Sequence, residues 1–254
     1  MYQTLTKDDY RKMLGLPDDY QITSLLTCGH YDLEKQVSLL RESLKRLGVD
    51  FTMKTMDEFL QDVVEFEVNH KKYWFAKAYG GVTLSEYVHL ACLFGSQKNI
   101  HVGSCGGLFP EMSSLDFLIP NYSYGNESST RLYDRENKDN IHKPNTELSN
   151  QLKTKLGNEK IWEGPIMTCG AMLGETKEDV EKWSKEGYYG VEMETSTVFA
   201  VSNHFGVPSA SLVYVSDNLI IGQTVGDENH TQQKDLRQEK AQKMYDTALL
   251  VLLS

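Results

Sequence analysis

Residues 188–215 read YYGVEMETSTVFAVSNHFGVPSASLVYV. Tyr188–Met193 is a short apolar run and reads as a strand. Thr195–Phe205 follows as a helix and stops at Gly206, the residue type that closes helices in the left-handed conformation. Ser209–Val215 is again apolar and reads as a second strand. A strand, a helix and a strand within 28 residues make the unit of α/β proteins, in which the strands share one sheet. The same alternation continues upstream, with a helix at Thr146–Leu156, a strand at Ile161–Thr168 and a helix capped by Thr176 and Asp179. A long helix from Thr231 to Leu253 finishes the chain.

The N-terminal half reads the same way. Gln21–Thr27 is a strand that ends in a Cys-Gly turn. A helix begins near Asp32, with Leu33, Val37, Leu40, Leu44 and Leu47 on one face and Gly48 closing it. Asp62–Val68 and Tyr73–Tyr79 form a hairpin about Asn69–Lys72. Gly80 and Gly81 end that strand, and Thr83 with Glu86 forms a capping box for a helix to about Phe94. Asn99–Val102 is a strand running into a Gly-rich turn, and Leu115–Ile119 is another short strand. Residues 121–145 are polar and rich in turn formers, and read as a mobile surface loop, either a lid or a plain insertion. No repeat or linker interrupts the pattern. The expected fold is one α/β domain over residues 1–254, a mixed central β-sheet flanked by helices.

Composition narrows the function. The 254 residues include 26 basic and 36 acidic side chains, a formal charge of -10. A nucleic-acid binder needs a basic face, and so does a protein that sits on an anionic membrane. Apolar runs such as Ala210–Val215 fall far short of the ~20 residues that span a bilayer. Met1–Tyr10 has neither the basic nor the apolar part of a signal peptide. Cys28, Cys92, Cys105 and Cys169 lack zinc-site spacing and read as reduced thiols of a cytoplasmic protein.

Three segments carry possible chemistry. His101-Val102-Gly103-Ser104-Cys105-Gly106-Gly107 places glycines after a strand, where backbone N–H groups converge on an anion or simply make a tight turn. Glu192 and Glu194 flank Met193 where a strand runs into a helix. That is the ligand-binding edge of an α/β sheet, and a carboxylate there accepts both hydrogens of a ribose diol. Alternatively the acids serve the helix N-terminus. Asp217 ends the strand Val213–Val215, either as a part-buried general acid or as an Asx turn.

Taken in order, VGSCGGL, GVEMET and VYVSDN resemble the nucleoside phosphorylase superfamily, which holds purine nucleoside phosphorylases, uridine phosphorylases and methylthioadenosine nucleosidases. LTKDD near the N-terminus and the long last helix resemble the uridine branch, and SDN the purine branch. The resemblance makes Glu194 the carboxylate that holds the ribose hydroxyls, with Glu192 beside it, and Met193 the side chain against the sugar. Asp217 becomes the acid that protonates N7 of a leaving purine. Ser104 contacts phosphate, with Gly29 and the residue at 101 in the same anion site, while Cys105 and Gly106 line the base. Met172 falls where the family puts an aromatic ring, and Tyr2 where uridine phosphorylases place a His that reaches a neighbouring subunit.

The chain departs from the family at the anion site. Leu33, His101 and Asp57 stand where three arginines are expected. None of the six arginines (Arg11, Arg41, Arg46, Arg131, Arg135, Arg237) lies in those turns. Each missing charge-assisted contact is worth roughly 1.5–3 kcal/mol. The resemblance with this departure implies cleavage of the N-glycosidic bond of a purine nucleoside, with water favoured over phosphate as acceptor. Asp32 and Glu34 flank the position where the hydrolytic branch carries its water-activating carboxylate. A phosphorylase with a rebuilt phosphate site and a non-catalytic nucleoside-binding protein are the alternatives. Neither a metal nor another cofactor is implied, and the family's habit is a homo-oligomer, a dimer or a hexamer.

Overall fold

A computed structural model describes residues 2–254, the side chains of Gln3 and Asn229 excepted. In chain order the elements are α1 (Lys7–Met13), β1 (Ser24–Gly29), α2 (Leu33–Arg46), β2 (Phe51–Thr55), β3 (Val63–Val68), β4 (Lys71–Ala78), α3 (Gly81–Leu93) and β5 (Asn99–Gly107). Then come β6 (Phe117–Asn126), α4 (Thr130–Tyr133), β7 (Ile141–His142), α5 (Thr146–Leu156), β8 (Ile161–Cys169), α6 (Lys177–Lys185) and β9 (Gly190–Glu192). The chain closes with α7 (Thr195–His204), β10 (Ser209–Asn218), α8 (Glu228–Gln232) and α9 (Lys234–Leu252).

The strands form one mixed sheet in the order β10-β6-β8-β9-β5-β1-β4-β3-β2, with β7 hung on β6. Because β10 also pairs with β5, the strands β5, β10, β6, β8 and β9 close on themselves, and β1, β4, β3 and β2 extend from β5 as an open arm. Strand β5 is the hinge of this arrangement. Its first half pairs in parallel with β1 and its last residues pair antiparallel with β9, while β10 runs beside it throughout.

The sheet is buried on both faces, so its strands alternate between two apolar layers rather than between core and water. On β4, Tyr73 and Phe75 pack with Leu40, Leu44 and Leu249, whereas Trp74 and Ala76 pack with Leu84, Val88 and Val198. Helices α2 and α9 are locked together by polar contacts inside the first layer. The Tyr245 hydroxyl donates to Gln36 Oε1 at 2.9 Å, and Gln242 Nε2 donates to Ser43 Oγ at 2.6 Å. The helix N-cap is Asp32, which accepts from the Lys35 N–H at 3.0 Å, and Gly48 takes the left-handed conformation at φ +66°.

Four expectations are corrected. Residues 121–145 are not a surface loop: β6 runs on to Asn126, α4 follows, and β7 pairs Ser123 with His142. Its polar residues misread as solvated because Ser123, Ser129, Thr130, Asn140 and His142 are buried and satisfied by one another and by neighbours. Thr130 Oγ1 donates to Asn140 Oδ1 at 3.2 Å, for example. The Gly-rich segment is no turn either; β5 continues as a strand through Gly107. Its glycines answer to packing, since a Cβ on Gly106 would lie 2.8 Å from Leu219 Cδ1. Helix α3 begins at Gly81 with Gly80 as its cap and no side-chain capping bond, so the Thr83–Glu86 box is not formed. The last helix is broken into α8 and α9, and β2 is an edge strand that its exposed, alternating residues concealed.

Candidate active site

The two carboxylates of Val191–Glu194 have different jobs. Glu192 Oε2 accepts from the N–H groups of Glu194 at 2.8 Å and Thr195 at 2.7 Å, and its Oε1 accepts from Thr168 Oγ1 at 2.5 Å. Glu192 therefore caps α7 and has no oxygen to spare. Glu194, the N-cap residue by position, makes no capping bond. Its Oε1 accepts from the Gly80 N–H at 2.6 Å, and its Oε2 presses on Gly29, where a Cβ would sit 2.2 Å away. Only glycine at 29 permits that approach. Glu194 is 5% exposed, and burial, then the charge of Glu192, pushes its carboxyl up to about 8.

This shift has a consequence for stability. The carboxyl titrates near 4.5 when unfolded and about 8 when folded, so the folded protein holds the extra proton in between. The stabilisation from that proton is complete below pH 4.5 and is lost as pH rises towards 8. Other buried groups titrate too, so the expected result is a difference. Melting temperature should fall more from pH 5 to pH 8 in the native chain than in Glu194→Gln. Parallel melting curves for the two proteins would contradict the shift.

His101 lies beside this pair but cannot replace an arginine. It is fully buried, its Nδ1 is 3.0 Å from Thr27 Oγ1, and its Nε2 has no partner and stands 3.8 Å from Glu192 Oε2. Burial holds its pKa down to about 3, so the ring is neutral. His101 Nε2 and the carboxylates of Glu192 and Glu194 lie within 4.8 Å of one another, close enough to suit a divalent ion. The three hydrogen bonds already on Glu192 leave it a poor ligand.

Asp217 sits near the end of β10, after a bulge, in register with Gly106 of β5. It is 6% exposed, burial raises its carboxyl above the ordinary range, and the Ser216 hydroxyl donates to it. Asn218 next to it is structural: its Nδ2 donates to the carbonyls of Met112 at 2.7 Å and Phe109 at 3.0 Å. Along β5, Gly103 and His101 mark the Glu194 end and Gly106 the Asp217 end. Three residues of strand separate them, about 10 Å at ~3.3 Å per residue.

The other expected site residues scatter. Met193 lies beside Gly80, and Met172, 44% exposed, meets the Tyr79 hydroxyl through its sulfur at 3.6 Å. Tyr79 and Tyr31, edge to face at 6.3 Å, form an aromatic lip that the sequence reading missed. Cys105 is buried in an apolar cluster with Met112 and Ile166, and Gly106 abuts Leu219. Asp32 is occupied as the α2 cap, and Glu34 is exposed on the same helix. Asp57 follows the edge strand β2, three strands along from β1. Tyr2 is 70% exposed, with its carbonyl accepting from the Tyr10 hydroxyl. Gly29 and Ser104 do come together, in the wall of a cavity of about 130 Å³ that also includes Lys35, Lys234 and Arg237. The reading of the sequence passed over these three cations because they lie on helices, not in the glycine-containing turns.

Known proteins bear on this geometry. A family model described as the phosphorylase superfamily matches residues 82–250. A DeoD-type purine nucleoside phosphorylase of Clostridium beijerinckii is 27% identical over 188 residues, which cover 68% of this chain and 78% of the relative. A guanosine phosphorylase of Halorubrum lacusprofundi is 25% identical over 165 residues, 63% of this chain and 65% of the relative. Among solved structures, a uridine phosphorylase of Vibrio fischeri superposes with a TM-score of 0.76 at 17% identity, covering 99% of both chains. A Helicobacter pylori MTAN variant with 5′-methylthioadenosine in its active site gives 0.68 at 21% identity, over 91% of this chain and 98% of the other. The last two speak for the fold alone. With the family model matched across the segments that carry Glu194 and Asp217, the chain belongs to the phosphorylase superfamily.

Proposed function

We propose that this chain cleaves the N-glycosidic bond of purine nucleosides. The observation that carries the reading is the pair of buried carboxyls spaced along β5, Glu194 on the side of His101 and Gly103 and Asp217 beside Gly106. Glu194, freed from capping by Glu192, faces the ribose hydroxyls. Asp217, protonated more readily than an ordinary aspartate because it is buried, neutralises the leaving base. As the sugar moves towards an oxocarbenium ion, the electron pair of the breaking bond flows into the base, and a proton at N7 stabilises it. A pyrimidine offers no equivalent nitrogen. The purine and guanosine phosphorylases among the relatives support the same preference.

Exposed Tyr31, Tyr79, Val82, Met172 and Leu173 give the chain apolar surface for a second copy in a homo-oligomer. Four unpaired cysteines suit the reducing cytoplasm. Among the described residues no helix is long and apolar enough to cross a membrane. The test is base release, followed by chromatography, from guanosine, inosine, adenosine and uridine. The purines should be cleaved at least about 10²-fold faster, the share expected of general acid catalysis at its lower end. Uridine as the best substrate would sink the reading.

A further inference from the structure

Beside β5, Asp217 meets Gly106, and the surroundings there are apolar, with Leu219 and Val191 closing on the glycine. Asp217 also lines a second cavity, in which neither Gly106 nor Leu219 takes part. Its other walls include Ser114, Thr224, Asp227, His230 and Gln233. At about 50 Å³ it has the volume of one to two waters at ~30 Å³ each, and polar walls are what a water needs in order to stay.

Most of these side chains have partners already. Ser114 Oγ donates to Gln233 Oε1 at 3.1 Å, and Asp227 accepts from the Thr224 N–H at 2.7 Å and from its hydroxyl at 3.2 Å. The Ser216 hydroxyl donates to Asp217. His230 differs. Its carbonyl accepts from Arg237, but among the described residues its ring makes no hydrogen bond. The residue is partly exposed, so it stands between the cavity and solvent. Burial, then Arg237 of α9, lower its pKa, while Asp217 of β10 and Asp227 before α8 raise it. A histidine between water and a carboxyl is suited to carrying protons from one to the other.

An acid that gives its proton to N7 is left as a buried carboxylate. Among the described residues no lysine, arginine or histidine forms an ion pair with Asp217, so it has to regain a proton before the next substrate. We propose that His230 returns this proton, through water in the cavity that it shares with Asp217. This rests on the nucleoside-cleavage reading and adds a step to it. As the C1′–N9 bond breaks, its electron pair passes to the base and the proton of Asp217 to N7. The charge left on Asp217 draws a proton from solvent onto the His230 ring. The ring passes it to the water, and the water passes one on to the carboxylate. The acceptor oxygen that bonds to C1′ releases one proton to solvent, so the cycle consumes none. In this scheme His230 touches neither sugar nor base; it is a positioning residue that acts through Asp217.

The experiment mixes inosine rapidly with the protein in dilute buffer and follows base release through the first turnover into the steady state. It uses the native chain, His230→Gln and His230→Ala. Both variants keep the backbone carbonyl that holds Arg237, and circular dichroism checks the fold of each. The first base per site should leave the variants at the native rate, because the proton of resting Asp217 is already in place. Later turnovers should slow by at least about tenfold, a step below the ~10²-fold lower end of general acid catalysis, so that base appears in a burst. Added imidazole should restore the later turnovers of His230→Ala and do nothing for Asp217→Asn. First and later turnovers slowed alike, with no rescue by imidazole, would overturn the inference, because His230 would then only support the shape of this corner. Variants that keep the native rate throughout would overturn it too, and leave nucleoside cleavage intact. If the native chain releases base from no nucleoside, the functional reading falls and takes this inference with it.

Discussion

Asp217→Asn is expected to slow the turnover of purine nucleosides by about 10²–10⁴-fold, the usual contribution of a general acid. Asparagine keeps the size of the side chain and can still donate a hydrogen bond, but it has no proton to give up. The loss belongs to the transition state, where charge gathers on the purine, and hardly at all to the bound substrate. It should therefore appear in kcat with KM little changed. The fold has small stakes in the change, since the structural bonds at this corner are made by Asn218 to Phe109 and Met112. Steady-state kinetics on inosine checks it, and a kcat within about threefold of the native value would remove Asp217 from the mechanism.

Glu194→Gln should act on binding instead. Above pH 8, where the Glu194 carboxyl is ionised, the proposed diol contact has the carboxylate accepting from both ribose hydroxyls, whereas an amide presents one acceptor and turns its NH2 against the second hydroxyl. Losing two charge-assisted bonds raises KM by about 10²-fold. The Gly80 N–H can still reach the amide oxygen, so the loop between β4 and α3 keeps its anchor. A 2′-deoxynucleoside measures the effect independently. It offers one hydroxyl fewer and should lose much less from the mutation than the ribonucleoside does. Equal losses on both would mean that Glu194 supports the fold and does not hold the diol.

It was the resemblance to the superfamily that singled out these two residues before the structure; position along the chain alone left the acidic pair to the helix N-terminus and Asp217 to an Asx turn as equal readings. The division of labour between Glu192 and Glu194 was not legible. Both are acidic and two residues apart, and only the direction of the chain into α7 decides which one turns back on the N–H groups of Glu194 and Thr195. The Gly-rich stretch misled for a related reason. Glycine marks a turn by its backbone freedom or a strand by close packing, and the neighbour that forces the second case, Leu219, is more than a hundred residues away. Residues 121–145 were misjudged because polarity was equated with exposure, while Asn140 and Thr130 are polar in order to satisfy each other inside.

The cationic cavity was the hardest to foresee. Lys35 lies on an amphipathic helix where a lysine ordinarily means a solvated face, and Lys234 and Arg237 come two hundred residues later. They meet because α2 and α9 are joined through Tyr245, Gln36, Gln242 and Ser43, contacts that no local pattern announces. Counting arginines in the expected turns asked for charge in the right place along the chain. The structure gathers Lys35, Lys234 and Arg237 from two helices around one cavity with Gly29 and Ser104.

In the proposed reaction, purine cleavage depends on the proton that Asp217 delivers to N7, and one pair of substrates isolates that step. Inosine and 7-deazainosine differ only in the nitrogen that would receive the proton. With the native chain, inosine should release its base, and the 7-deaza compound should be cleaved at least about 10²-fold more slowly, in line with a lost general acid. In Asp217→Asn that gap should nearly close. Equal cleavage of the two nucleosides by the native chain would contradict the account, because the base would then be leaving without the proton that Asp217 is placed to give.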